Sequence, residues 1–289
     1  VGTALILSAL QTDKGADRHA FKYIMWITLP IVLLIFSENI STALLLFTVV
    51  VLMMFIGRVP FAQLGKLLGV LAIIAVCGIS VLTLADKSQL GSIPFGNRLA
   101  TLKTRVMTYA EGNSKPFSVQ DFDMNENAQI AHANIAIATS NVIGKFPGNS
   151  VERDFLSQAF SDFIYAIIIE EMGIFGGAFV VLLYVVLLFR ASKIANRCER
   201  NFPAFLVLGL SLLMVIQAII NMAVAVGLFP VTGQPLPLIS RGGTSTIINC
   251  IYIGMILSVS RFAKKRIPES AAVKTNIVES EFTRDEGIQ

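Results

Sequence analysis

Runs almost free of charge alternate with polar connections along this chain. The charge-free runs are Val1–Leu10, Ile24–Ser37, Ile40–Gly57, Leu67–Ala85, Ala204–Phe229 and Gly242–Ser260. Phe163–Phe189 joins them, interrupted only by the adjacent pair Glu170 and Glu171. A helix rises about 1.5 Å per residue, so about 20 apolar residues cross a bilayer core. The pattern predicts an all-α integral membrane protein: a polytopic helical bundle with spans near 1–11, 21–37, 40–57, 67–85, 162–189, 203–229 and 243–261. The first is a fragment and the other six are complete, although Ile24–Ser37 is short and borrows Phe21 to Tyr23. Residues 86–161 form a 76-residue polar loop, and 263–289 a polar tail.

Composition agrees: 54% of residues are hydrophobic and 15% charged, where a soluble domain carries about 25% charged. Val1 is not a methionine and lies inside an apolar run, so an N-terminal portion is expected to be missing. Orientation follows the lysines and arginines. The connections Gln11–Lys22, Arg58–Lys66 and Arg190–Asn201, with the tail from Arg261, hold 15 of the 23 basic residues. The short connections on the other side hold only Arg241. The basic side is therefore expected to be cytoplasmic, and the long loop to face outward. The net charge of +4 is topological and speaks against a nucleic-acid partner. Cys77 and Cys250 fall in spans and Cys198 on the cytoplasmic side, so no outer disulfide is expected. His19 and His132 stand far apart and read as surface histidines, and no metal site is expected.

Three outer features carry candidate chemistry. In the long loop, Met124, Ala128, Ala131, Ile135 and Ala138 recur at helical spacing, predicting an amphipathic helix that packs this face and ends near Asn141 and Gly144. Gln129, Asn134 and Asn141 decorate its remainder. Next comes Gly144-Lys145-Phe146-Pro147-Gly148-Asn149-Ser150, where glycine permits close backbone approach and Lys145 offers a point charge for phosphate. The second outer segment, Gly227 to Ser245, holds three prolines and four glycines within its first 17 residues. That forbids a regular helix, yet the segment is apolar, as a re-entrant loop would be. Its end, Ser240-Arg241-Gly242-Gly243-Thr244-Ser245, opens the last span with amides and hydroxyls suited to an anion; simple capping by Ser240 or Thr244 is the plainer alternative. Finally, Asp162 stands where the loop meets a span, either as a helix cap or as a carboxylate at the membrane surface.

Two long motifs carry a resemblance. Asp162-Phe163-Ile164-Tyr165-Ala166 followed by Glu170-Glu171-Met172-Gly173-Ile174-Phe175-Gly176 resembles the D-F-I-F-A…E-E-L-G-x-x-G segment of the SEDS proteins (shape, elongation, division and sporulation). Gly227-Leu228-Phe229-Pro230-Val231-Thr232-Gly233, with Leu236 to Gly243, resembles their G-L-x-P-V-T-G-x-x-L-P-F-x-S-x-G-G. Asn39-Ile40-Ser41-Thr42-Ala43 takes the place of their D-L-G-T-A. The resemblance covers essentially the whole chain and is closer to the septal FtsW type than to RodA. It implies about seven of the family's ten spans. It also implies a peptidoglycan glycosyltransferase of the bacterial inner membrane, its active site on the periplasmic face, polymerising lipid II in cell division or cell-shape maintenance. Implied partners are a class B penicillin-binding transpeptidase and divisome or elongasome membrane proteins. No cofactor is certain, and a divalent cation stays open. The family's L-P-E-x-H-T-D reads Leu156-Ser157-Gln158-Ala159-Phe160-Ser161-Asp162 here, without the carboxylate and the histidine.

On this reading Asp162 is the catalytic base. It takes the proton of a sugar hydroxyl while a lipid pyrophosphate leaves. Substrate-binding candidates are Lys145, Ser150, Gln129, Arg241, Ser240, Gly242 and Gly243, with Arg98, Arg105 and Arg153 as further cations for the pyrophosphate. Glu170 and Glu171 lie about 12–14 Å deeper, turned by about 80° and 180°, out of reach of the proton transfer. They are expected to be structural, bonded inside the bundle, with a protonated form compatible with burial. A lipid II flippase would need ionisable residues through several spans or a repeat with broken helices at midplane, and neither is visible. A non-catalytic divisome scaffold, using the polar tail for contacts, is the other alternative.

Overall fold

The computed structural model describes residues 1–12, 15–84, 128–156 and 159–263, without the side chains of 74–84 and 128. Met124, Arg98, Arg105 and the tail beyond Ala263 lie outside these residues. Eight α-helices and a short 3-10 helix (Glu152–Asp154) occupy the described residues: α1 (Gly2–Ala9), α2 (Arg18–Glu38), α3 (Ile40–Ile56), α4 (Phe61–Leu84), α5 (Ala128–Thr139), α6 (Ile164–Ala195), α7 (Asn201–Ala225) and α8 (Gly243–Phe262). Seven of them coincide with the seven apolar runs, and α5 is the predicted loop helix. Four, namely α2, α6, α7 and α8, are long and apolar enough to cross a membrane. One departure from an all-helical chain is a two-residue hairpin, β1 (Gln11–Thr12) with β2 (Gly15–Ala16), pinned to the end of α3 by Ala16 N donating to Gly57 O at 3.2 Å.

Helix boundaries follow local chemistry. Asn39 caps α3 by accepting a bond from Thr42 N at 3.1 Å. Pro203 sits in the first turn of α7, where its missing N–H costs nothing. Helix α7 is the hub, contributing buried side chains to clusters with α5 and α6, with α1 to α3, and with α8. Outside these clusters large apolar side chains face outward: Phe175, Phe179, Leu182 and Phe189 on α6 are 71%, 55%, 54% and 66% exposed. Such surfaces are too apolar for water and suit lipid.

Two elements differ from the sequence expectation. Of the predicted stripe Ala131 is buried, but its buried companions on α5 are Ala133 and Ala136, whereas Ile135 and Ala138 point outward. Alanine lines nearly every side of this helix, so hydropathy could not select the face, and the small side chains let α5 approach α6 closely. Helix α6 is not continuous either: Gly173 has φ 69° and ψ −170°, breaking it two turns past its start.

Candidate active site

Asp162 lies just ahead of α6, half-buried. The capping alternative fails on geometry, because the N-cap position is Phe163 and no side chain caps this helix. Among the described residues the Asp162 carboxylate instead accepts one bond, from Ser161 Oγ at 2.8 Å. Its other oxygen faces Gly233, where an added Cβ would sit 3.7 Å from Oδ2. That oxygen has no hydrogen-bond donor among the described residues and borders the glycine.

The backbone beneath Asp162 is fixed by three consecutive carbonyls. Phe160 O accepts from Arg241 N at 2.8 Å, Ser161 O from Ser240 Oγ at 2.5 Å, and Asp162 O from Asn221 Nδ2 at 2.8 Å. The donors come from the Pro–Gly segment and from α7. That segment, 230–241, has no regular structure, as expected, and is plugged into the bundle by polar side chains. Gln217 donates to Pro235 O at 2.9 Å, Asn221 to Gln234 O at 2.7 Å, and the Tyr184 hydroxyl to Pro237 O. Gln234 Nε2 in turn reaches Thr42 Oγ1 on α3 at 2.7 Å. Sequence reading passed over Gln217, Asn221, Tyr184 and Gln234. A signal was present: Gln217 and Asn221 are polar amides inside a charge-free run, where such groups are expensive unless they have work to do.

Deeper along α6 the carboxylate of Glu170 is fully buried. Lys145 Nζ donates to it at 2.6 Å, Ser150 Oγ at 2.5 Å and Val151 N at 3.2 Å. Lysine and a backbone amide can only donate, and both donate to Oε1, an arrangement that suits a carboxylate beside a cation. Bonding inside the bundle was expected for Glu170, and its partners lie in the loop instead. Glu171 departs further: it is half-buried and has no polar side-chain partner among the described residues. The loop backbone interlocks with the break in α6. A Cβ on Gly173 would meet Val142 O at 2.2 Å, and one on Gly144 would meet Glu171 O at 2.4 Å. Lys145 N donates to Glu170 O at 2.9 Å, supplying a partner where the helix ladder is interrupted.

The remaining candidates are dispersed. Lys145 and Ser150 are spent on Glu170 rather than held open for phosphate. Ser240 is buried and uses its hydroxyl twice, donating to Ser161 O and accepting from Leu236 N at 2.7 Å. Neither Ser240 nor Thr244 caps α8, whose N-cap is Gly242. The amides of Gly242 and Gly243 have no partner among the described residues. Arg241 is exposed, and its guanidinium has no partner among the described residues. Gln129 is half-buried on α5. Arg153 pairs with Asp154 at 3.4 Å. His132 is not a lone surface histidine: Nδ1 lies 2.6 Å from Glu152 Oε2, and the ring stacks on Phe155 at 5.3 Å.

Comparison with known proteins matches this architecture. The family model described as "cell cycle protein", covering FtsW, RodA and SpoVE, matches residues 2–265. A probable peptidoglycan glycosyltransferase FtsW of Halomonas elongata is 32% identical over 251 residues, which is 84% of this chain and 57% of that relative. The chain thus spans little more than half the length of this curated relative. A peptidoglycan synthase complex, described as coordinating polymerization and crosslinking, superposes with a TM-score of 0.65 at 24% identity, over 91% of this chain and 68% of its own. A variant of the rod shape-determining protein RodA of Thermus thermophilus gives 0.56 at 22%, over 91% and 64%. At these identities the structural likeness is one of fold. With the family model matching most of its length, this multi-pass membrane chain belongs to the FtsW/RodA/SpoVE cell cycle protein family.

Proposed function

We propose that this chain is the greater part of a peptidoglycan glycosyltransferase that polymerises lipid II, with Asp162 as general base. The observation carrying the proposal is the state of Asp162: a half-buried carboxylate, not used as a cap, on a backbone pinned at three carbonyls, with one oxygen toward Gly233. The name of the Halomonas relative supplies the reaction class. In the step proposed, the 4-hydroxyl oxygen of an acceptor sugar attacks the anomeric carbon of the donor. The bond from that carbon to the pyrophosphate oxygen breaks, the lipid pyrophosphate leaves with the electron pair, and the hydroxyl proton passes to Asp162. A positioned base contributes about 10²–10⁴-fold.

The unpaired Arg241 guanidinium, with the free amides at Gly242 and Gly243, supplies positive potential for the departing pyrophosphate. Lys145 and Ser150 act at one remove, holding the loop on Glu170. The site belongs on the periplasmic face of the inner membrane, from the distribution of basic residues, and the partner is a crosslinking transpeptidase, a reading supported by the joint polymerization and crosslinking of the complex that shares the fold. The test uses the full-length protein, purified with that transpeptidase and given lipid II. Glycan strands are the expected product. Transbilayer movement of lipid II without polymer would make the protein a flippase, and neither activity would leave a scaffold.

A further inference from the structure

We propose that Asn221 is the positioning residue that aims Asp162, an inference resting on the reading of Asp162 as the base. Asp162 precedes the first hydrogen-bonded turn of α6, so the helix does not orient it; that turn begins with Phe163 O accepting from Ala166 and Ile167. The bond that the Asp162 carbonyl accepts among the described residues comes from Asn221 Nδ2. The same nitrogen donates to Gln234 O, which spends both N–H groups of the amide on two backbone carbonyls from different parts of the chain. Gln234 also fixes its own side chain on Thr42 of α3. Asn221 therefore ties the base to the Pro–Gly segment, which Gln234 ties in turn to α3.

Burial sharpens the case. Asn221 is 1% exposed, and its Oδ1 has no partner among the described residues. A leucine would fill such a place without an unpaired acceptor, so packing does not account for an asparagine here. The two donated bonds do. They set the rotation of the Asp162 peptide plane, and through it the direction in which the carboxylate leaves the backbone. A reacting group displaced by about 1 Å can lose about 10²-fold in rate.

The experiment compares Asn221→Ala, the isosteric Asn221→Asp, which replaces the two N–H donors by at most one O–H, and Asp162→Asn, all in the full-length protein with its transpeptidase. Lipid II turnover, KM, and the number of lipid II binding sites per protein are measured together. A positioning role predicts that both Asn221 variants lose about 10–100-fold in kcat, with KM and binding stoichiometry within about twofold of wild type. A merely structural role would instead lower the stoichiometry in step with the rate, and that result overturns the proposal. Should the alanine variant fail to accumulate in membranes, the aspartate variant carries the same readouts. Near-wild-type turnover by the Asn221 variants beside an inactive Asp162→Asn would sink the positioning role alone. An active Asp162→Asn would sink the base itself.

Discussion

Between Phe160 and Asp162, three successive carbonyls are claimed by donors from elsewhere in the chain, while among the described residues the Asp162 carboxylate accepts only from its neighbour Ser161. Backbone anchoring thus comes from Arg241, Ser240 and Asn221, which leaves the side chain available for proton transfer. Gly233 has φ +67° and borders that carboxylate, so Gly233→Ala adds both left-handed strain, about 1–2 kcal/mol, and a methyl group beside Oδ2. We expect a loss of about tenfold in polymerisation rate at constant protein level; an unchanged rate would show that the reacting sugar does not approach from this side. The position of Asp162 was legible in the sequence because it sits at a sharp change from polar to apolar. The employment of Lys145 and Ser240 was not. Each looks open in the sequence, and each is occupied by a partner 25 or 79 residues away, which local spacing does not encode.

At the scale of elements, the loop and α6 are joined by matched glycines and one buried carboxylate. Lys145→Met would leave Glu170 fully buried with its cation gone. Breaking a buried pair costs about 3–5 kcal/mol. Here about 2 kcal/mol is expected, because the Lys145 end is 29% exposed and solvent screens it. Adding Glu170→Gln should recover half or more of the loss, since the uncompensated charge is then removed. Thermal unfolding of the three proteins checks this, and a double variant less stable than Lys145→Met would contradict the latch. The apolar runs gave away the helices, since length and charge content suffice for that. The break at Gly173 stayed hidden because glycine inside a long apolar run is compatible with a straight helix. The face of α5 stayed hidden because alanine occupies both its buried and its exposed sides.

For the molecule as a whole, α7 is the shared wall of all three clusters, and the site forms where its end meets α6, α3 and the Pro–Gly segment. Segments far apart in sequence are brought together there, so the site's residue types were legible while its assembly was not. The outward apolar faces of α2, α6 and α8 suit lipid, where the lipid-linked substrate proposed for the chain would also lie. The most direct test of this account is lipid II polymerisation by full-length Asp162→Asn with its transpeptidase partner. The substitution preserves side-chain volume and leaves the main-chain carbonyl for Asn221, so insertion and partner binding should be unchanged. The account predicts a loss of about 10²-fold or more in strand formation. Near-wild-type polymer from the asparagine variant would contradict it.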